Sequence, residues 1–211
     1  MLIPIYTILS LFLLSVMSKI IKRTNIINSE SQSNHLPSMT TLAGGCFWCI
    51  EGAFSQVQGV HSTTSGYMGG HTKNPSYEDI CTGQSGHAEV VQLVFDSAII
   101  SYQQILEIFF TLHDPTQLNR QGNDIGSQYR SAIFYHDENQ KKIALNMIES
   151  MTKSKIFDQD IVTQLYPVDV FYSGEAYHQN YINNNAESPY CQAVISPKLD
   201  KFRKTFIDKL K

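Results

Sequence analysis

Apolar and polar positions along this chain follow two different periods, and the switches between them mark out its elements. Thr40 to Ala43 reads as a short strand running into Gly44-Gly45. Ile50, Ala53, Phe54 and Val57 then fall at helical spacing, which predicts a helix that starts near Cys46 and ends at Gly59. Val60 to Tyr67 alternates like a strand up to Gly69-Gly70, and Pro75 is expected to open one helical turn. After the turn GQSG, the Val-rich run HAEVVQLVF is a strong strand signal. Tyr102, Ile105, Leu106, Phe109 and Leu112 share one face of a helix over 102–112. SAIFY, Ser131 to Tyr135, is a further strand, and an amphipathic helix follows over 137–153. Ile161 to Leu165 and Val168 to Tyr172 read as strands broken by Pro167, and Gly174 to Asn184 and Pro197 to Lys209 as helices. The alternation predicts an α/β (α+β) domain, a small mixed sheet covered by helices.

One stretch has neither period. HDPTQLNRQGNDIGSQYR, between the helix over 102–112 and the strand SAIFY, is a long polar loop crowded with Asp, Asn, Gln, Arg and Tyr. Loops of this length inside a compact domain are usually functional or disordered. Its side chains point to function.

The start of the chain also stands apart. Leu2 to Met17 carries no charge, and Lys19, Lys22 and Arg23 follow it. The run falls short of the roughly 18–20 apolar residues of a spanning helix. It has the length of a signal-peptide apolar region but lacks a preceding Lys or Arg and a clear Ala-x-Ala site. Residues 1–18 are therefore expected to be a signal or anchor, 19–39 a polar Ser/Asn-rich linker, and 40–211 the folded domain. An anchor would tether the protein to a membrane, with the basic cluster favouring a cytoplasmic domain. A signal would export it; with neither role, the protein is cytoplasmic.

Composition changes this picture little. A chain of 211 residues can bury a core without metal or disulfide staples, and its formal net charge of −3 with no Lys/Arg run argues against nucleic acid as a partner. Four cysteines are too few and too unevenly placed for a disulfide scaffold, so each is weighed as an individual thiol.

The candidate chemistry begins at GGCFWCIEGAF, which holds the chain's single tryptophan. Cys46-Phe47-Trp48-Cys49 admits a zinc half-site, a thioredoxin-type redox pair, or a nucleophile beside an aromatic slot. Structural zinc needs a second cysteine pair at similar spacing, and Cys81 and Cys191 stand alone. For a redox pair or a nucleophile, a helix N-terminus would lower the pKa of Cys46. Phe47 and Trp48 could form a slot for a methyl or thioether group. Glu89, where a glycine turn enters an apolar strand, would have its charged form disfavoured and could donate a proton near neutral pH. Tyr77 and Tyr129 offer hydroxyl donors to a developing negative oxygen, and Asp124 could act through a water. This set suits attack on a polar S=O or C=O bond.

GGCFWCIEGAF, SGYMGGHTKNPSYEDICTGQSGHAEVVQLVFD, FFTLHDPTQLNRQGNDIGSQYRSAIFY and GEAYHQNY, in that order, resemble the methionine sulfoxide reductase A family from about Thr41 to the C-terminus. Departures are mild: Ser85 and Ser127 stand where threonine is commoner, and Gly174 where alanine is usual. The resemblance implies a two-layer fold of ferredoxin-like type, and reduction of methionine S-sulfoxide, free or in peptides and oxidised proteins, as a repair reaction. It implies Cys46 as nucleophile, Glu89 as general acid, Tyr77 and Tyr129 on the oxygen, Phe47 and Trp48 around the methyl group, and Asp124 ordering a water. It implies a Cys46 sulfenic acid resolved by a second thiol to a disulfide, with thioredoxin or dithiothreitol as electron donor and no metal or organic cofactor. Cys191, on a flexible-looking segment, is the first candidate for that thiol, and Cys49, one helical turn from Cys46, the second. Cys81 is expected to be a buried structural thiol, and His87 and His178 to be hydrogen-bonding loop or core residues. A monomer is expected. A general disulfide oxidoreductase and a non-catalytic binder of oxidised methionine remain as alternatives; the first would reduce insulin without any sulfoxide, and the second would bind without turnover.

Overall fold

The structure, a computed structural model, describes residues 37–211, so the expected 1–18 segment and nearly all of the 19–39 linker lie outside the described residues. Strand β1 (Ser38–Gly44) leads into helix α1 (Phe47–Phe54), followed by β2 (Val60–Met68), α2 (Tyr77–Cys81), β3 (Ala88–Phe95) and α3 (Tyr102–Leu112). A small hairpin, β4 (Arg120–Gln121) and β5 (Asp124–Ile125), precedes β6 (Ser131–Tyr135), α4 (Glu138–Lys153), β7 (Gln164–Pro167) and β8 (Tyr172–Ser173). The chain continues through α5 (Tyr181–Asn184) and a wide π turn, Cys191–Ile195, into α6 (Ser196–Thr205).

Six strands form one sheet in the order β7-β6-β1-β3-β2-β8. All pairings are antiparallel except β6 with β7, so the α/β architecture with a mixed sheet is as expected. The period of two along each strand divides its side chains between the faces. Leu42, Val91, Leu93, Phe95 and Ile133 join residues of α1, α3, α4 and α6 in the main core, while Ala43, Met68, Val90, Ala132 and Phe134 form a smaller cluster closed by Phe171. By the same alternation Glu89 belongs to the face of Val91 and Leu93, beneath α1. This register sets a carboxyl among apolar side chains.

Local capping explains the starts of three helices. Ser101 accepts from the Gln104 N–H at the head of α3, and Asp137 from the Gln140 N–H at the head of α4. Ser76, not Pro75, begins α2: its hydroxyl accepts from the Asp79 N–H while the Asp79 carboxylate accepts from the Ser76 N–H. The proline lies just before that cap.

The structure differs from the periodicity reading in three further places. The polar loop holds the β4–β5 hairpin and a 3₁₀ turn, Ser127–Tyr129, elements too short to show a period. Pro167 closes β7 instead of separating two strands, which an edge strand tolerates, and the second strand shrinks to Tyr172–Ser173. The helix expected over 174–184 is broken into a 3₁₀ turn, Ala176–His178, and α5, because Asn180 takes a left-handed conformation with φ 51°. Among the described residues, no helix is long and apolar enough to cross a membrane.

Candidate active site

The Cys46 position is built by its two glycines. Gly44 ends β1, and Gly45 adopts φ 86°, a conformation costly for other residues. A Cβ on Gly45 would also lie 2.6 Å from the Gln121 side chain. Gln121 in turn is tied to the backbone of Asp114, accepting from its N–H at 3.1 Å and donating to its carbonyl at 3.0 Å. The chain therefore turns sharply out of the sheet and delivers Cys46, at φ −54° and ψ 120°, just ahead of the first turn of α1. Its thiol is free and buried.

A cavity of about 220 Å³ opens at this point, lined by every pocket residue named from the sequence: Cys46, Phe47 and Trp48 from α1 and its cap, Tyr77 from α2, Glu89 from β3, Asp124 from β5 and Tyr129 from the 3₁₀ turn. These positions span more than eighty residues of chain and come from five separate elements. The eighth lining residue, Tyr190, was not anticipated. Its hydroxyl donates to Asp124 Oδ2 at 3.0 Å. Tyr190 precedes Cys191, and no spacing or flanking pattern in SPYCQ distinguishes it from a packing aromatic.

Burial governs the electrostatics. Glu89 is 3% exposed, and its carboxyl is pushed well above the usual carboxylate range by desolvation and then by Cys46; the Phe47 N–H, donating to Oε2 at 3.0 Å, opposes this. Tyr77, Tyr129 and Tyr190 are all shifted upward, first by desolvation and then by nearby negative groups, so their hydroxyls keep their protons as donors. The Cys46 thiol is also raised, by burial and then by Cys49, which reverses the expectation that a helix N-terminus would lower it. Desolvation outweighs the end of an eight-residue helix here. Cys49 moves the other way, lowered by its interaction with Cys46 and by Lys198. The two thiols behave as a coupled pair.

Behind the pocket stands a group of aromatic side chains. His178 is 1% exposed, with ring centroids 5.0 Å from Phe47, 5.6 Å from Trp48 and 4.4 Å from Tyr77. Glu175 accepts from the Tyr67 hydroxyl at 2.7 Å and from the Tyr77 N–H at 2.8 Å, which fixes the head of α2. His87 ties two loops, accepting from the Gly70 N–H at Nδ1 and donating to the Thr72 carbonyl at Nε2. Cys191 is wholly buried and does not line the cavity. Cys81 is exposed, contrary to the expected buried thiol: at the last position of the short α2, it faces away from the core that Ile80 enters. Among the described residues, no group of three or more His, Cys, Asp or Glu could hold a metal ion.

Fold and pocket together set a buried thiol, a buried carboxyl and three phenols around one small cavity of a mixed α/β domain. The family model described as peptide methionine sulfoxide reductase matches residues 38–210. The chain is 56% identical over 173 residues to a peptide methionine sulfoxide reductase MsrA of Saccharolobus solfataricus, covering 82% of this chain and 97% of the relative. It is 53% identical over 165 residues to one from Chromobacterium violaceum, covering 78% and 94%. Among solved structures, reduced Mxr1 from Saccharomyces cerevisiae is 30% identical with a TM-score of 0.66 over 77% of this chain and 92% of that one. Methionine sulfoxide reductase A of Corynebacterium diphtheriae is also 30% identical, with a TM-score of 0.65 over 72% and 76%. The chain belongs to the peptide methionine sulfoxide reductase family, type A. Its reaction is the reduction of methionine sulfoxide to methionine.

Proposed function

We propose that residues 40–211 form a catalytic domain in which Cys46 attacks the sulfur of methionine S-sulfoxide, free or within a protein, and Glu89 protonates the departing oxygen. The attack joins the Cys46 sulfur to the substrate sulfur; the protonated oxygen then passes to Cys46 as the substrate S–O bond and the new S–S bond break. Methionine leaves as the thioether, Cys46 becomes a sulfenic acid, and the thiol proton restores the Glu89 carboxyl. Tyr77 and Tyr129 hydrogen-bond the oxygen, Phe47 and Trp48 enclose the methyl group, and Asp124 orders a water with help from Tyr190. The reading is carried by one observation: a raised, buried carboxyl and a buried thiol face the same small cavity as protonated phenols. A stereospecific assay with dithiothreitol tests it. Reduction of the S epimer alone is expected; equal turnover of both epimers would overturn the proposed geometry.

A second thiol then condenses with the sulfenic acid, releasing water and leaving a disulfide for a dithiol protein such as thioredoxin to reduce. Two residues are available. Cys49 lies one turn along α1 from Cys46, and its N–H donates to the Cys46 carbonyl at 3.1 Å. Cys191 is buried in the core at the start of the π turn and, unlike its neighbour Tyr190, does not line the cavity. This proximity favours Cys49 and reverses the order drawn from the sequence. With one equivalent of sulfoxide and no reductant, peptide mapping is expected to find a 46–49 disulfide, and Cys49→Ser to lose thioredoxin-supported turnover while still forming one methionine per enzyme. A mapped 46–191 bond, with turnover lost in Cys191→Ser instead, would restore the original order.

A further inference from the structure

The carboxylate of Glu51 takes no part in the chemistry proposed above, yet it is only 4% exposed. It lies one helical turn beyond Trp48 on α1. Its Oε1 accepts from the Asn180 N–H at 2.7 Å and its Oε2 from the Tyr181 N–H at 3.4 Å. Those N–H groups head α5, where the chain has just passed through the left-handed Asn180. A left-handed, non-glycine residue is held only by surroundings that over-determine it. Here they include the Glu51 carboxylate, Ile182 packed directly over Gly52, and the Gln179 side chain paired with the Ser65 backbone N–H and carbonyl at 3.0 and 2.9 Å.

The consequence is seen at Tyr181. Its ring lies flat on the Trp48 indole, with centroids 3.6 Å apart and an interplanar angle of 6°. Tyr190 meets the same indole edge-on at 5.9 Å and 73°. Trp48 is thus held from two sides, and the Tyr181 side is anchored to α1 through a carboxylate. We propose that Glu51 is a positioning residue for the substrate slot: by capping the Asn180–Tyr181 backbone it locks Tyr181 against Trp48 and so sets the wall that receives the methyl group. This rests on the reading of Trp48 as part of that slot. Burial raises the Glu51 carboxyl, and the two backbone N–H donors work against that shift, as expected for an acceptor held for structural purposes.

Trp48 is the chain's only tryptophan, so its environment can be read directly. Glu51→Ala is expected to change the indole emission and increase its quenching by acrylamide. It should also lower kcat/KM roughly tenfold, mainly through KM, because a loosened wall weakens ground and transition states alike. Glu51→Gln, which keeps an acceptor for the Asn180 N–H, should recover most of both signals. Tyr181→Leu leaves the Glu51 hydrogen bonds in place and should reproduce the Glu51→Ala phenotype, and the double variant should add little to either single one. Unchanged emission and KM in folded Glu51→Ala would overturn the proposal. So would a loss of activity that only tracks a smaller folded fraction, with the KM of that fraction unaltered. Trp48→Ala separates the two levels: if its KM is unchanged the slot reading fails, whereas the emission of Glu51→Ala still reports whether Glu51 holds the indole.

Discussion

Cys46→Ser is expected to abolish sulfoxide reduction in both steady-state and single-turnover assays. The substitution exchanges sulfur for the smaller, less polarisable oxygen at a buried position and opens no sizeable cavity, so the fold and substrate binding should persist. What it removes is the nucleophile. A serine hydroxyl is far less ionised than a thiol and a much weaker nucleophile, and among the described residues no histidine lines the cavity to activate it. The raised pKa of Cys46 sharpens the prediction. If attack occurs from a thiol that must shed its proton as the sulfoxide oxygen gains one, then the wild-type single-turnover rate should depend on Glu89 as well as on Cys46. Cys49 remains in the variant, one turn along the same helix, and offers a built-in control. Near-normal formation of one methionine per Cys46→Ser enzyme would mean that Cys49 is the attacking thiol, and the assignment of nucleophile would fall.

How far the sequence carried this reading can be judged residue by residue. Glu89 was legible because a charged side chain stands where a glycine turn enters an apolar strand, and the structure buries it there, opposite Tyr67. Strands β1, β2, β3 and β6 and the long helices were legible because each buries most of a face. The pairing of Asp124 with Tyr190 was not: sixty-six residues separate them, and neither lies in a periodic segment. The same holds for the clamp of Glu51 on Asn180, where the glutamate occupies an ordinary helical position and its role depends on a segment 129 residues away. The expected helix over 174–184 failed for a related reason. Local propensity there is helical, but side-chain bonds from Glu175 and Gln179 to distant backbone break the run and fix it against β2 and α2. Cys46 was placed correctly at a helix N-terminus, but the sign of its pKa shift depends on burial, which sequence position does not report.

Glu89→Gln should retain sulfoxide binding and slow the chemical step by about 10²-fold or more, the usual worth of a positioned general acid. The amide can still accept from the Phe47 N–H through its oxygen, so the start of α1 should not move. It cannot deliver a proton. The pH dependence gives a stricter test than the rate at one pH. Because the Glu89 carboxyl is raised well above its ordinary value, the wild-type enzyme keeps its acid to a higher pH than an ordinary carboxyl would and loses it as pH rises through that folded-state pKa. The variant should lack this alkaline limb, and its deficit should shrink toward low pH, where solvent supplies protons. Stability should shift in a linked way. A carboxyl whose pKa is raised in the fold contributes stability that is fully present below its unfolded pKa and lost as pH rises through the folded one. Glu89→Gln should therefore show a flatter dependence of unfolding free energy on pH across that window, measured by denaturant titration. An unchanged rate at neutral pH, with the alkaline limb intact, would show that the proton comes from elsewhere and would leave Glu89 with a structural role at the Phe47 N–H alone.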